Sequence, residues 1–218
     1  MNTYQKLSLV LALGLGLGFS AAANSSTTLY DNLSSPVNNS QGIPPGWIAD
    51  AFTTGANAGG YNLGNITLEL QGDVNGSING IVLKLFSDTG TGVPGITAIG
   101  NAYVNPSSLI TGGMHPNVFT PNALDASLVL SANTTYWVKL DASTPGAAGV
   151  DWGYTLSGTG LWAFDAGEGI QGHGTDGPFI MKVEANPILS SVPVPAAAWL
   201  MGSGLIGLAS SWRRKKAD

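Results

Sequence analysis

Apolar and polar residues alternate with a period of two in several segments of this chain. In Asn65 to Leu70 the side chains Ile66, Leu68 and Leu70 interleave with Thr67 and Glu69, the pattern of a strand buried on one face. Ile81 to Phe86, Tyr136 to Leu140 and Phe179 to Glu184 repeat it, each with a lysine inside: Lys84, Lys139 and Lys182. A strand lysine marks the outward face and discourages edge-to-edge association, so Leu83 and Leu85, Val138 and Leu140, and Met181 and Val183 are predicted to face the core. Glu69 and Glu184 fall at outward positions. Shorter strands are predicted over Thr28 to Asn32, Ile48 to Thr54, Leu128 to Leu130, Trp152 to Leu156 and Leu161 to Phe164, between clusters of Gly, Asn, Pro and Ser. About nine short strands without a helical period between them predict an all-β fold, a single β-sandwich of jelly-roll-like or Ig-like topology.

The punctuation between these strands reads as turns. Gly55, Gly59 and Gly60, with Asn57, allow a tight connection with positive φ between Phe52 and Tyr61. Pro94-Gly95 after Asp88-Thr89-Gly90 is a turn signal, and Asn133 to Thr135 reads as a hairpin loop before Tyr136. Asp73 to Asn79 places oxygen-bearing side chains at alternate positions, as a calcium loop does. The EF-hand pattern fails there, because Ile78 stands at the glycine position and Lys84 at the acidic one. A hairpin between Leu70 and Ile81 is the simpler expectation.

Two terminal segments stand apart from this pattern. Lys6 precedes the apolar run Leu7 to Phe19, and Ala21 and Ala23 supply the small residues that a signal peptidase needs. Residues 1–23 are therefore expected to be a secretory signal peptide cleaved after Ala23. At the other end, Val192-Pro193-Val194-Pro195 leads into the apolar stretch Ala196 to Trp212, closed by Arg213, Arg214, Lys215 and Lys216. Those 17 residues would span about 25 Å as a helix, a marginal length for a bilayer core of about 30 Å. The basic stop would stay on the cytoplasmic side, leaving the preceding chain outside. A single transmembrane helix that anchors the chain is the bland expectation. Pro193 and Pro195 instead favour an extended backbone just outside the membrane, where a processing enzyme can grip it.

The segment VPVPAAAWLMGSGLIGLASSWRRKK resembles a PEP-CTERM sorting tail in its VPxPA variant. That resemblance covers residues 192–216 and implies an exosortase-type transpeptidase as partner, in a Gram-negative, exopolysaccharide-making cell. It also implies transient anchoring in the inner membrane through the C-terminal helix, then display at the cell surface or release. A second resemblance lies in ADAFTTGANAGGYNLGNITLEL, followed by LKLFSDTGTGVPG and LSANTTYWVKL. These segments look like a choice-of-anchor domain, a bacterial surface module that occurs with different attachment tails and has no established catalytic residues. The expected organisation is a signal peptide over 1–23, a β-sandwich over 24–191 and a sorting tail over 192–218.

Composition narrows the chemistry. Glycine accounts for 31 of 218 residues and charged residues for only 10%, which argues against coiled coils and helix bundles. The chain has no cysteine, so thiolate metal sites, disulfides and cysteine catalysis are excluded. Between residues 24 and 191, three lysines stand against twelve acids, a balance of −9. Such a surface disfavours nucleic acid and anionic lipid, and repels acidic polysaccharides unless a divalent cation bridges them.

Only His115 and His173 supply imidazoles, and neither belongs to a zinc-binding pair or a nucleophile elbow. A glycosidase needs two converging carboxylates, and the sole acidic cluster is the glycine-rich stretch with Asp165, Glu168, His173 and Asp176. It reads as a solvated loop, with adventitious calcium the alternative; no resident cofactor or metal is expected. The expected role is a noncatalytic surface or extracellular-matrix protein, with a secreted hydrolase the remotest reading. The alternative is a carbohydrate-binding module that uses Trp152 and Trp162, with Asp151 and Asp165 beside them to hold sugar hydroxyls and exopolysaccharide as partner. Against it stands the ordinary use of tryptophan to fill a sandwich core.

Overall fold

The computed structural model describes residues 25–72, 81–100, 113–121, 128–141 and 149–189. The signal peptide with Ala21 and Ala23, the Asp73 to Asn79 segment and the sorting tail lie outside the described residues. Thirteen strands follow in chain order: β1 (Thr27–Asp31), β2 (Asn39–Gly42), β3 (Trp47–Thr53), β4 (Tyr61–Gln71), β5 (Val82–Asp88), β6 (Pro94–Ala98) and β7 (His115–Phe119), then β8 (Val129–Leu130), β9 (Thr135–Asp141), β10 (Asp151–Tyr154), β11 (Thr159–Asp165), β12 (Ile170–Asp176) and β13 (Met181–Pro187). No helix occurs among the described residues.

The strands form two antiparallel sheets, so the fold is all-β. One sheet is built around the eleven-residue β4. β13 pairs with β4 from Tyr61 to Leu68, and β10 continues that edge at Leu70 and Gln71. β8 and β7 occupy the other edge of β4, while β1 and β2 close the sheet against β13 and β10. The second sheet runs β12-β11-β3-β9-β5-β6.

Between the sheets lies one core, and the alternation in the sequence accounts for it. Ile66, Leu68, Leu70, Met181 and Val183 meet Ile48, Phe52, Leu83, Leu85, Val138 and Leu140 there, all buried. Each such side chain contributes about 1.5–3 kcal/mol on leaving water. The lysines take the outer faces as expected, but those faces are more covered than a solvated surface would be. On the outside of the second sheet Trp137 and Phe86 pack over Ala49, Ala51 and Ala163. The Lys139 ammonium lies 5.2 Å from the centre of the Trp47 ring and 4.3 Å from that of Phe86. Burial lowers the pKa of Lys139, opposed by the attraction of Asp141. Glu69 is likewise on the outer face but only 9% exposed, with its Cγ beside Gly153 of β10. Burial raises the Glu69 pKa, and His115 partly offsets it.

Two predicted hairpins are in fact crossings. Leu70 and Ile81 flank strands of different sheets, as do β8 and β9, so both connections carry the chain across the core. The turn before Tyr136 is present, with Asn133 at a φ of 49°, yet it is an arch. Pro94-Gly95 opens β6 opposite Asp88 instead of lying in the turn before it.

The FTTGANAGGY element forms a second arch, from β3 to β4. Of its residues only Gly60 has a positive φ, 76°. Gly59 is required for space, because a Cβ there would run into the carbonyl oxygen of Ile188. The Thr54 hydroxyl ties the two arches together: it donates to Ser131 O at 2.6 Å and accepts from Thr134 N at 2.9 Å. Thr54 is 3% exposed, so Thr54→Val would remove both hydrogen bonds from a buried side chain. A loss of about 1–3 kcal/mol is expected in urea unfolding; an unchanged midpoint would show that the arches are held by other contacts.

Candidate functional site

β11 and β12 form a hairpin at the open side of the fold. The turn between them is capped by Asp165, whose Oδ1 accepts the backbone N–H of Gly167 at 2.6 Å and of Gly169 at 3.1 Å. The glycine-rich stretch after Asp165, expected to be a loop, is therefore mostly the edge strand β12. A polar, glycine-alternating segment becomes a strand because β11 supplies its whole ladder.

The register of that hairpin places Trp162 opposite Gly174 and Phe164 opposite Gly172. A Cβ on Gly174 would come within 2.8 Å of the Trp162 indole, and one on Gly172 would strike the Phe164 ring. Both rings thus lean across β12 in space that its glycines leave free. Their planes are 13° apart with centroids separated by 6.3 Å. The indole N–H of Trp162 donates to the carbonyl oxygen of Asp176, which fixes the ring.

Facing these rings, the other sheet contributes Gln41 and Tyr154. Together with Leu156, Asp176, Gly177 and Phe179 they line a cleft of about 250 Å³ between the two sheets. Phe179 is held from behind: it stacks on Trp152 at 4.8 Å, and Tyr154 meets it edge-on at 6.2 Å. Leu156 is 71% exposed.

Beside Trp162 in the ladder stands Asp50, which is fully buried. Its carboxylate accepts the N–H of Ala51 at 2.7 Å and that of Phe179. Burial pushes its pKa well above the ordinary 3.8, against the lowering effect of those two hydrogen bonds. The Tyr30 hydroxyl is pushed up to about 12 by its own burial and by the nearby Asp50 charge.

Of the four residues expected at a sugar site, only Trp162 lines the cleft. Trp152 is fully buried, with Nε1–H donating to Ile180 O at 3.0 Å. Asp151 alternates with Trp152 along β10 and so faces away from the cleft, accepting a hydrogen bond from Ser40 Oγ at 3.2 Å. Asp165, next to Phe164, faces outward for the same reason. The residues of the alternative, adventitious calcium site do not come together either. Asp165 pairs with Ile170 at one end of the hairpin and Asp176 with Thr159 at the other, about 20 Å apart by strand rise. Among the described residues no three His, Asp or Glu side chains gather to hold a metal ion.

Gln41, Phe164 and Phe179 are cleft residues that the sequence pattern did not single out. A signal for Phe164 was present, since two aromatics at i and i+2 oppose two glycines at i and i+2 across a short turn. The chain matches no protein-family model, no curated protein and no solved structure.

Proposed function

We propose that the chain is a noncatalytic, exported surface or extracellular-matrix protein whose tail is the substrate of an exosortase-type transpeptidase. In this reading a signal peptidase removes residues 1–23 and the helix of residues 196–212 holds the chain in the inner membrane for a time. The sorting enzyme then acts near Val192 to Pro195, with Arg213 to Lys216 as the cytoplasmic stop. The two sheets act as a β-sandwich of jelly-roll-like type, crossing repeatedly between layers, and the body sits among exopolysaccharide in a biofilm.

The observation that supports this reading is the grip of the FTTGANAGGY arch on the end of β13. Asn57 Nδ2 donates to Ile188 O at 3.1 Å, and the Ile188 N–H donates to Gly60 O at 3.0 Å. The element that resembles a choice-of-anchor module therefore clasps the chain four positions before Val192. Thr27, four positions after Ala23, pairs with Ala185. Both addresses thus join the body at the same end of adjacent strands, as a domain held at one end requires.

The test is processing. In a strain with a working exosortase, intact mass should show a product lacking both residues 1–23 and residues 196–212. Replacing Pro193 and Pro195 by alanine preserves hydrophobicity and the basic stop while freeing the backbone. The doubly substituted protein should accumulate uncut in the membrane fraction. Wild-type protein that keeps its C-terminal segment in that strain would make the tail a plain anchor.

A further inference from the structure

We propose that the cleft between Trp162 and Phe164 on one sheet and Tyr154 and Phe179 on the other binds a neutral hexopyranose unit of a polysaccharide. The inference is independent of the fate of the tail. It rests on five features of the cleft.

The first is why the cleft exists at all. Glycine inside a strand weakens it, and it is found where something must approach closely. Here Gly172 and Gly174 contribute nothing to the inner face, so the rings of Trp162 and Phe164 settle over β12 and the space between the sheets stays open. Larger residues in β12 would have closed it.

The second is shape. Two nearly parallel rings 6.3 Å apart on one strand make a strip. A strip suits the flat C–H face of a sugar ring, whereas a rounded cation is best surrounded by rings at large mutual angles. A cleft of about 250 Å³ is at the small end of ligand sites, so it accepts about one sugar ring and excludes a folded partner.

Polarity is the third. Gln41, the Tyr154 hydroxyl and Asp176 stand in the lining, and an amide, a phenol and a carboxylate are the groups that hold sugar hydroxyls in an otherwise aromatic site. Trp162 spends its N–H on Asp176 O, so it offers the ligand its ring.

The fourth is charge. Among the described residues Asp176 is the only acid in the lining and no cationic side chain lines it, and residues 24–191 carry a balance of −9. Uronic acids and phosphorylated glycans are repelled, which leaves neutral hexose polymers.

Position is the fifth. Phe179 precedes β13, whereas the clasped exit at Ile188 follows it. Seven residues of β13 separate them by about 20 Å, so the cleft opens at the end of the fold away from the clasped exit.

The experiment titrates the purified full chain by calorimetry with neutral hexasaccharides (β-1,4-glucan, α-1,4-glucan and α-1,6-mannan), with a hexamer of galacturonate, and with choline. Heat is expected with at least one neutral oligomer and with neither of the other two. Trp162→Ala should weaken that binding about tenfold or more, and Gln41→Ala about threefold, consistent with the loss of one ring stack and one hydrogen bond. Ile96→Ala, at a side chain that is 100% exposed on β6, should change nothing. Should Trp162→Ala fail to fold, Gln41→Ala and Leu156→Ala, both at exposed positions, carry the test. Absence of heat with all three neutral oligomers would overturn the proposal. So would unchanged affinity in the folded cleft variants, or tighter binding of galacturonate or choline.

Discussion

Trp152→Ala is expected to destabilise the protein by about 3–5 kcal/mol, the range for deleting a large aromatic from a packed core. Trp152 is fully buried, and its indole fills the junction between β10 and the segment leading into β13. The substitution removes the hydrogen bond from Nε1 to Ile180 O and the stack on Phe179 at 4.8 Å. Ile180 also donates its N–H to Gly153 O and accepts from Glu69 N, so the loosened segment is one that joins three strands. For a protein of this size a loss in that range lowers Tm by roughly 6–20 °C. The check is calorimetry of the variant beside Trp162→Ala, whose ring is only partly buried and whose loss should cost clearly less. Equal losses for the two would show that burial does not distinguish these tryptophans.

Asp50→Ala is expected to cost about 2–4 kcal/mol at neutral pH, because it strips the carboxylate from two buried N–H groups. One of them, on Phe179, belongs to the segment running into the opposite sheet, so the side chain bridges the two layers. Asp50→Asn retains one acceptor and should cost roughly half as much. The two variants also separate by pH. The folded-state pKa of Asp50 is raised above 3.8 by burial, so the native state binds the proton more tightly than the unfolded chain does. The wild-type contribution is then fully present below about pH 4 and is lost as pH rises through the folded value. Urea unfolding of wild type across pH 4 to 8 should therefore show stability falling relative to Asp50→Asn, whose side chain does not titrate. A difference between the two that stays constant over this window would place the Asp50 pKa at its ordinary value.

Much of the fold was legible because a strand buried on one face must alternate. Leu83 and Leu85 around Lys84, or Val138 and Leu140 around Lys139, have one reading, and the structure bears it out. The strands that escaped notice are those whose own residues carry no such pattern. β2 is Asn-Ser-Gln-Gly, β6 opens on Pro94-Gly95, β7 holds a proline at Pro116, and β12 alternates glycine with polar groups. Each exists because a better-patterned neighbour supplies its ladder: β10 for β2, β5 for β6, β4 for β7 and β11 for β12. A local window cannot see that partner. The same limit turned crossings into expected hairpins, since the spacing between β4 and β5 is compatible with either and only the pairing of β4 with β13 and of β5 with β9 decides.

The sequence by itself determined which faces of the strong strands are apolar, the acid surplus, and the absence of thiol chemistry, since these follow from residue type and local spacing alone. Tertiary structure decided the roles of the tryptophans. Trp152 and Trp162 both sit in short strands with an inward face, and nothing local separates them. β10 lies against β4 and the 178–180 segment, so Trp152 is sealed, whereas β11 has beyond it only an edge strand whose positions opposite Trp162 and Phe164 are glycines. Trp162 therefore keeps a face toward the open cleft. Asp151 and Asp165, adjacent to aromatics in sequence, were sent to the far sides of their sheets by the two-residue period of the strand. Gln41 and Phe179, more than a hundred residues apart, were brought to one lining by pairing between strands. Burial is a property of the neighbours a residue acquires, and those neighbours are chosen by long-range pairing.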